Sequence, residues 1–321
     1  MHTLGRYIAK RLGLAVITLV LLSMIIFGAA QLLPGDLGRS VLGRDASADA
    51  VAEYNHEHGT DRSAVVQYLD WASGVVRGDF GNSLVPPEQP VWDVIRPALM
   101  NSLKLAVFAF FLVVPFGILG GVLSGLRVGK ATDRGITVIG LSLAVVPEFV
   151  TGLVLILVFS IWAGWLPVTA QWEPGSGPLT QVKHLTLPAI ALTLVLFGYV
   201  ARITRAGVVE ALDADYTRTA FLKGLPRKTV IRRHVLRNAI LPTIAVIATQ
   251  VGYLLGGLVA IELLFNYRGI GLTTLEAAQL KDYTVLSAGV LIIGFTFVVV
   301  TLAGDVFSAL LNPRIRFEAS E

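Results

Sequence analysis

The sequence predicts an all-α membrane protein with six transmembrane helices and a folded extracytoplasmic loop after the first of them. Of 321 residues 54% are hydrophobic and only 15% charged, with a mean hydropathy of +0.70, too apolar for a soluble fold of this length. Six apolar runs reach the ~20 residues that a helix needs to cross a bilayer. The connections between them differ in basic content: 17 of the 26 Lys and Arg fall on one side and 8 on the other, with Lys104 inside a span. That bias places both termini in the cytoplasm. It also accounts for the +4 charge and the pI near 9.4 as topology control at a lipid surface rather than nucleic-acid binding. The absence of cysteine excludes disulfides, thiolate metal sites and cysteine nucleophiles.

Arg6, Lys10 and Arg11 precede the first run, 12–33, which exceeds the ~7–15 residues of a signal-peptide core and is therefore expected to be an uncleaved span. Segment 34–98 breaks the pattern with Pro34-Gly35-Asp36, with Tyr54, Tyr68, Trp71, Phe80 and Trp92, and with ten acids against five bases counted over 31–98. It reads as a folded extracytoplasmic cap. His56-Glu57-His58 within it is a candidate metal nest, but metal sites need three or four convergent ligands, so no metal is expected. A membrane core is expected over 99–321, after an N-terminal tail and first span over 1–33.

The second span is 100–126, with Lys104 near the outer end, where it can snorkel. Arg127, Lys130 and Arg134 mark a cytoplasmic connection. The third span, 136–162, carries Pro147 and Glu148 at its middle. Proline withdraws a backbone donor, and an acid at this depth is a pathway candidate or an interhelical hydrogen-bonding group. Trp162, Trp165 and Trp172 belong to an outer interface. The fourth span is 184–201, and the fifth is 239–264, where Gly252, Gly256 and Gly257 permit close helix approach. The sixth is 285–311.

Between the fourth and fifth spans lies 202–238, with nine basic residues and the acids Glu210, Asp213 and Asp215. Asp213 or Asp215 can cap a short helix, Gly224 can end it, and Pro226 suits the first turn of a second helix whose Val230, Ile231, Val235 and Leu236 share a face. Two short helices hinged at a glycine form a docking element. Arg218, Thr219 and Ala220, then Gly224, His234, Leu236 and Arg237 stand at the positions of the motif Glu-Ala-Ala, three residues, Gly, nine residues, Ile, one residue, Leu-Pro. Thr219, Ala220, Lys223, Gly224, Leu225, Arg233, His234, Leu236, Arg237, Asn238 and Ala239 follow the more specific form T-A-x-x-K-G-L with R-H-x-L-R-N-A. On these residues the chain resembles permeases of ATP-binding-cassette importers, in the branch that carries peptides and, in some members, nickel. The strings at 32–36, 67–84, 90–95 and 265–286 resemble the same branch, with Arg268 where the family has proline, and 312–314 resembles its terminus. Glu276 to Ala278 spell the shorter motif on the opposite side of the membrane and are a decoy.

The resemblance implies a type I importer permease fold and an ATPase-coupling role for Asp215, Tyr216, Arg218, Thr219, Ala220, Lys223, Gly224, Leu225, Arg233, His234, Leu236, Arg237 and Asn238. It implies a second homologous permease, two cytoplasmic ATP-binding subunits and an extracytoplasmic solute-binding protein, all at the bacterial inner membrane. Peptides are the expected cargo, with nickel or another small solute as the alternative.

The chain lacks G-x-x-x-x-G-K-[ST]; the nearest string, 125–131, has one residue too few between its glycines and no Ser or Thr. ATP is therefore expected on partner subunits, with no cofactor and no catalytic residue here. A self-sufficient secondary carrier would place ionisable groups near the midplane, where Glu148 is the one clear candidate. A purely structural subunit is the third reading.

Overall fold

Apolar runs satisfy their backbone internally as helix, which lipid demands, and become long helices even where a proline stands within them, as Pro188 does in the helix Pro178–Asp213. The computed structural model describes residues 2–32, 36–43, 45–256 and 258–311. In 2–8, 251–256, 258 and 307–311, and at 241, 245, 248, 249 and 305, only the backbone is described. The helix contacts expected of Gly252, Gly256 and Gly257, the Pro34-Gly35 corner and the 312–314 terminus lie outside these descriptions. The helices are α1 His2–Gln31, α2 Leu37–Leu42, α3 Ala48–Glu57, α4 Ala64–Val76, α5 Val91–Gly125, α6 Ala131–Val145, α7 Glu148–Leu155, α8 Pro178–Asp213, α9 Asp215–Leu222, α10 Arg227–Val230, α11 Leu236–Gly256, α12 Leu258–Leu264, α13 Ile270–Leu280 and α14 Tyr283–Leu311. Wider π-helical stretches, Ile156–Trp162 and Ile231–Val235, follow α7 and α10.

Among the described residues four helices are long and apolar enough to cross a membrane: Ala9–Gln31 of α1, all of α5, all of α8, and Tyr283–Gly304 of α14. A fifth crossing arises if α6 and α7 form one span, bent by 108°. The expected run 136–162 is thus not one straight helix. The residue before a proline avoids the α region, and Val146 is extended (φ −75, ψ 126), while Pro147 has no N–H to continue the ladder. On the fifth expected span stand α11 and α12, either side of Gly257.

The chain divides into two compact units: 1–8, 103–267 and 299–321 in the first, 9–102 and 268–298 in the second. In the first unit α8 is the central helix. Its Val200 and Val208 meet α5 at Gly117 and Gly125, and Gly121 of α5 faces Thr204. Gly198 lies against Gly140 of α6, and Gly207 against the Ala239 carbonyl of α11. In lipid there is little hydrophobic drive between helices, so such close approach supplies van der Waals contact that larger residues would prevent. Around it Leu105, Ala109, Leu187, Leu196, Ile261 and Phe265 form the buried core. The Thr193 hydroxyl donates to Ala189 O within α8 (2.7 Å) and to Ala109 O of α5 (3.4 Å).

The second unit contains the polar segment that follows α1. Asp36 caps α2 by accepting from Arg39 N (2.8 Å), and Ser47 caps α3 by accepting from Ala50 N (3.2 Å). Asn55 of α3 donates to Asp36 (2.6 Å) and accepts from Gly38 N (3.0 Å), which joins the two short helices. Helix α4 packs Tyr68 and Trp71 on Phe27 of α1, with ring centroids 5.5 and 6.1 Å apart, and Tyr68 shares a hydrogen bond with Ser23 (2.9 Å). Buried Asp282 accepts from the Ser83 hydroxyl and from Val285 N, tying the 79–90 loop to the start of α14.

His56 and His58 go to different partners. His56 bonds the exposed Asp61 (2.7 Å), which raises its pKa above the ordinary value. His58 stacks on Tyr54 and reaches Glu88 (3.2 Å).

Candidate coupling element and pathway acid

Helix α8 stops where Ala214 turns extended (φ −68, ψ 145), and α9 starts at once with Asp215. Neither Asp213 nor Asp215 caps it through its side chain, contrary to the sequence expectation, because Ala214 occupies the cap position and Asp215 the first turn. Thr217 instead anchors α9: its buried hydroxyl donates to Ala211 O of α8 at 2.6 Å. The helix ends at Lys223, and Gly224 follows with φ +74, a left-handed conformation that glycine adopts without steric cost. Gly224 N bonds Phe221 O (2.9 Å) and Leu225 N bonds Ala220 O (3.3 Å), closing the helix end. Pro226 is the residue before α10 rather than its first helical residue.

The π-helical stretch 231–235 adds a residue to the turn, so the face expected of Val230, Ile231, Val235 and Leu236 is resolved unequally. Val230 and Val235 are fully buried, whereas Ile231 and Leu236 are half-buried. Val235 joins Val208, Ala211 and Ala239 in a small core that seats the element on α8 and α11.

Most residues singled out by the motif face outward. Asp215, Tyr216, Arg218, Thr219, Lys223, Gly224, Leu225, Arg233, Arg237 and Asn238 are exposed, His234 and Leu236 are half-buried, and Ala220 is buried. Asn238 donates to His234 O at 2.8 Å. Sequence reasoning underweighted Leu222, 82% exposed, and Phe221 beside it. Their signal was two large apolar side chains in an otherwise basic polar loop. The surface is thus a pair of apolar knobs among the exposed Arg218, Lys223, Arg227, Lys228, Arg232 and Arg233. Exposed apolar side chains ringed by basic ones are complementary in chemistry to an apolar floor with an acidic rim.

Glu148 is the first residue of α7, at the 108° break, and is half-buried. Among the described residues its carboxylate has no hydrogen-bond or ion-pair partner within this chain. A second deep acid, Glu262 of α12, is fully buried; it was legible as the one acid in the apolar run 239–264. Its peptide carbonyl accepts from Tyr267 N at 2.7 Å, and burial, then the Glu262 charge, push the Tyr267 phenol above its ordinary pKa. If Glu148 lines the pathway and meets a solute amine or cation, Glu148→Gln weakens apparent affinity in uptake by about tenfold or more, the worth of one charge-assisted hydrogen bond. Equal half-saturation of variant and wild type across pH would remove Glu148 from the pathway.

The chain thus combines several apolar helices of membrane-spanning length with an exposed helix–glycine–helix element. The family described as the binding-protein-dependent transport system inner membrane component matches residues 117–317, and its N-terminal part matches 4–106. This chain belongs to that family and is a permease subunit of an ABC importer. Among its relatives, the di/tripeptide transport system permease protein DppB of Pseudomonas aeruginosa is 34% identical, over 97% of this chain and 99% of its own. The glutathione transport system permease protein GsiC of Escherichia coli is 33% identical over the same shares. A crystal structure of an amino acid ABC transporter with histidines shares the fold, with TM-score 0.51 at 16% identity over 69% of this chain and 94% of that one.

Proposed function

We propose that this chain is a six-span permease that forms half of a pathway with a second, homologous permease and imports short peptides by alternating access. Two cytoplasmic ATPases dock on the helix–glycine–helix element 215–238 of the 202–238 loop, and an extracytoplasmic solute-binding protein delivers cargo to the side bearing 34–98 and 265–286. The observation that carries the coupling role is the exposed α9–Gly224–α10 element, with Leu222 and Phe221 among basic side chains. The relatives named for di/tripeptide and glutathione transport support the peptide cargo. Closure of the ATPases would move α9 and α10, and only contacts that differ between the two states can pass that energy to the spans.

Two experiments test this reading. In vesicles holding the complete transporter, vanadate-sensitive uptake of a labelled tripeptide or of glutathione is expected, and uptake independent of ATP would overturn it. The cysteine-free chain also allows topology to be read: with Glu57 and Lys228 both exposed, a cysteine at 57 is expected to react with an impermeant maleimide in intact cells and one at 228 only after lysis. The reverse pattern would invert the orientation.

A further inference from the structure

Asp133, in the first turn of α6, is only 4% exposed. Its Oδ1 accepts from Arg205 Nε at 2.6 Å and from the Ser124 hydroxyl; its Oδ2 accepts from Arg205 Nη2 at 2.9 Å and from Gly129 N at 2.8 Å. One carboxylate therefore joins the end of α5, the α5–α6 turn, the start of α6 and, through a two-pronged guanidinium, the C-terminal part of α8. Arg205 stands eight residues before Asp213, the last residue of α8, about 12 Å along the helix at 1.5 Å per residue. Besides the 3.4 Å bond from the Thr193 hydroxyl to Ala109 O, α8 meets α5 and α6 through close-packed surfaces such as Gly121 on Thr204 and Gly140 on Gly198. Packed surfaces of that kind resist separation, yet they permit the small sliding by which helices shear. A bidentate fork fixes distance and orientation together, so it opposes sliding and rotation as well.

Resting on the coupling reading above, we infer that Asp133 and Arg205 are positioning residues that lock the α5–α6 turn to α8. Displacement entering at α9 and α10 then reaches α6 and its broken junction with α7 instead of being lost as slip along α8. The lock acts on the yield of transport per ATP. It contributes nothing to ATP binding and touches no solute.

Asp133→Asn and Arg205→Lys are the direct tests, the second keeping the charge while losing the fork. In vesicles with both ATPases and the solute-binding protein, each variant is expected to keep binding-protein-stimulated hydrolysis within about twofold while uptake falls about tenfold, a typical coupling energy. Ser124→Ala, which leaves the fork in place, is expected to stay near wild type in both. A complex with cysteines at 133 and 205 is expected to be uncoupled when reduced and to regain uptake per ATP when a short bismaleimide joins them. Hydrolysis and uptake that fall together, or do not fall, overturn the lock; so does failure of both direct variants to assemble, which makes the pair a folding element. Wild-type vesicles without ATP-driven uptake overturn the coupling reading instead.

Discussion

Replacing Gly224 with tryptophan is expected to leave the chain in the membrane while abolishing substrate-stimulated ATP hydrolysis by its complex. At φ +74 a side chain costs about 1–2 kcal/mol of backbone strain. A Cβ there would meet nothing within 4 Å of its own chain, so the strain is local and the bulk projects outward between the two short helices. On the proposed docking of this element in an ATPase groove, an indole at its apex should lower ATPase affinity by more than about tenfold, since loss of packing at an interface centre is worth over 1 kcal/mol. Gly224→Ala separates the two effects: it imposes the strain without the bulk and is expected to retain most of the stimulated turnover. Lys228→Gln, at the exposed rim, should change it by about twofold at most. Copurification of the ATPase subunits and hydrolysis with and without binding protein are the measurements. A Gly224→Trp complex with wild-type stimulated turnover and uptake would remove the coupling role from this element.

Gly198→Leu should have the largest effect on stability. A Cβ at 198 would sit 2.0 Å from the Gly140 carbonyl oxygen, which is backbone and cannot swing aside. The two helices would have to part along α6 and α8. Overpacking against a side chain costs about 1–3 kcal/mol, and against a backbone contact at this distance about 3 kcal/mol or more is expected. The control lies on the same helix as Gly140: a Cβ at 135 would meet nothing within 4 Å beyond its own helix backbone, so Gly135→Ala is expected to be neutral or to stabilise by up to about 1 kcal/mol through helix propensity. Thermal unfolding of the purified protein in detergent distinguishes them. Equal midpoints for the two variants would contradict the close α6–α8 contact.

The sequence by itself determined the features that depend on neighbouring residues. Apolar runs of spanning length report their own partition into lipid, and α1, α5, α8 and α14 lie on four of the six. The turn at Gly224 was legible because glycine after an amphipathic turn and proline two residues later are local signals, and α9 and α10 flank it as expected. The cap at Ala214 and the π-helical stretch 231–235 were not, since Thr217 bonding Ala211 and the burial of Val235 decide them by contact with α8.

The sequence also marked Pro147 as a defect, but a proline alone is compatible with a kink or a break. The 108° turn also depends on how α6 and α7 pack on α8. Contacts between distant residues were illegible altogether. Asp133 and Arg205 are 72 positions apart and Ser83 and Asp282 are 199 apart; as single letters in a row they are ordinary loop or juxtamembrane charges and hydroxyls. The same holds for Gly140 and Gly198, each a weak helix former whose value appears only when the other stands opposite. Hydropathy and turn chemistry are properties of short windows, and the chain states them directly. Which helices touch, in what register and with which buried polar pair is set by the packing of surfaces that no window contains, and only the tertiary structure decided it.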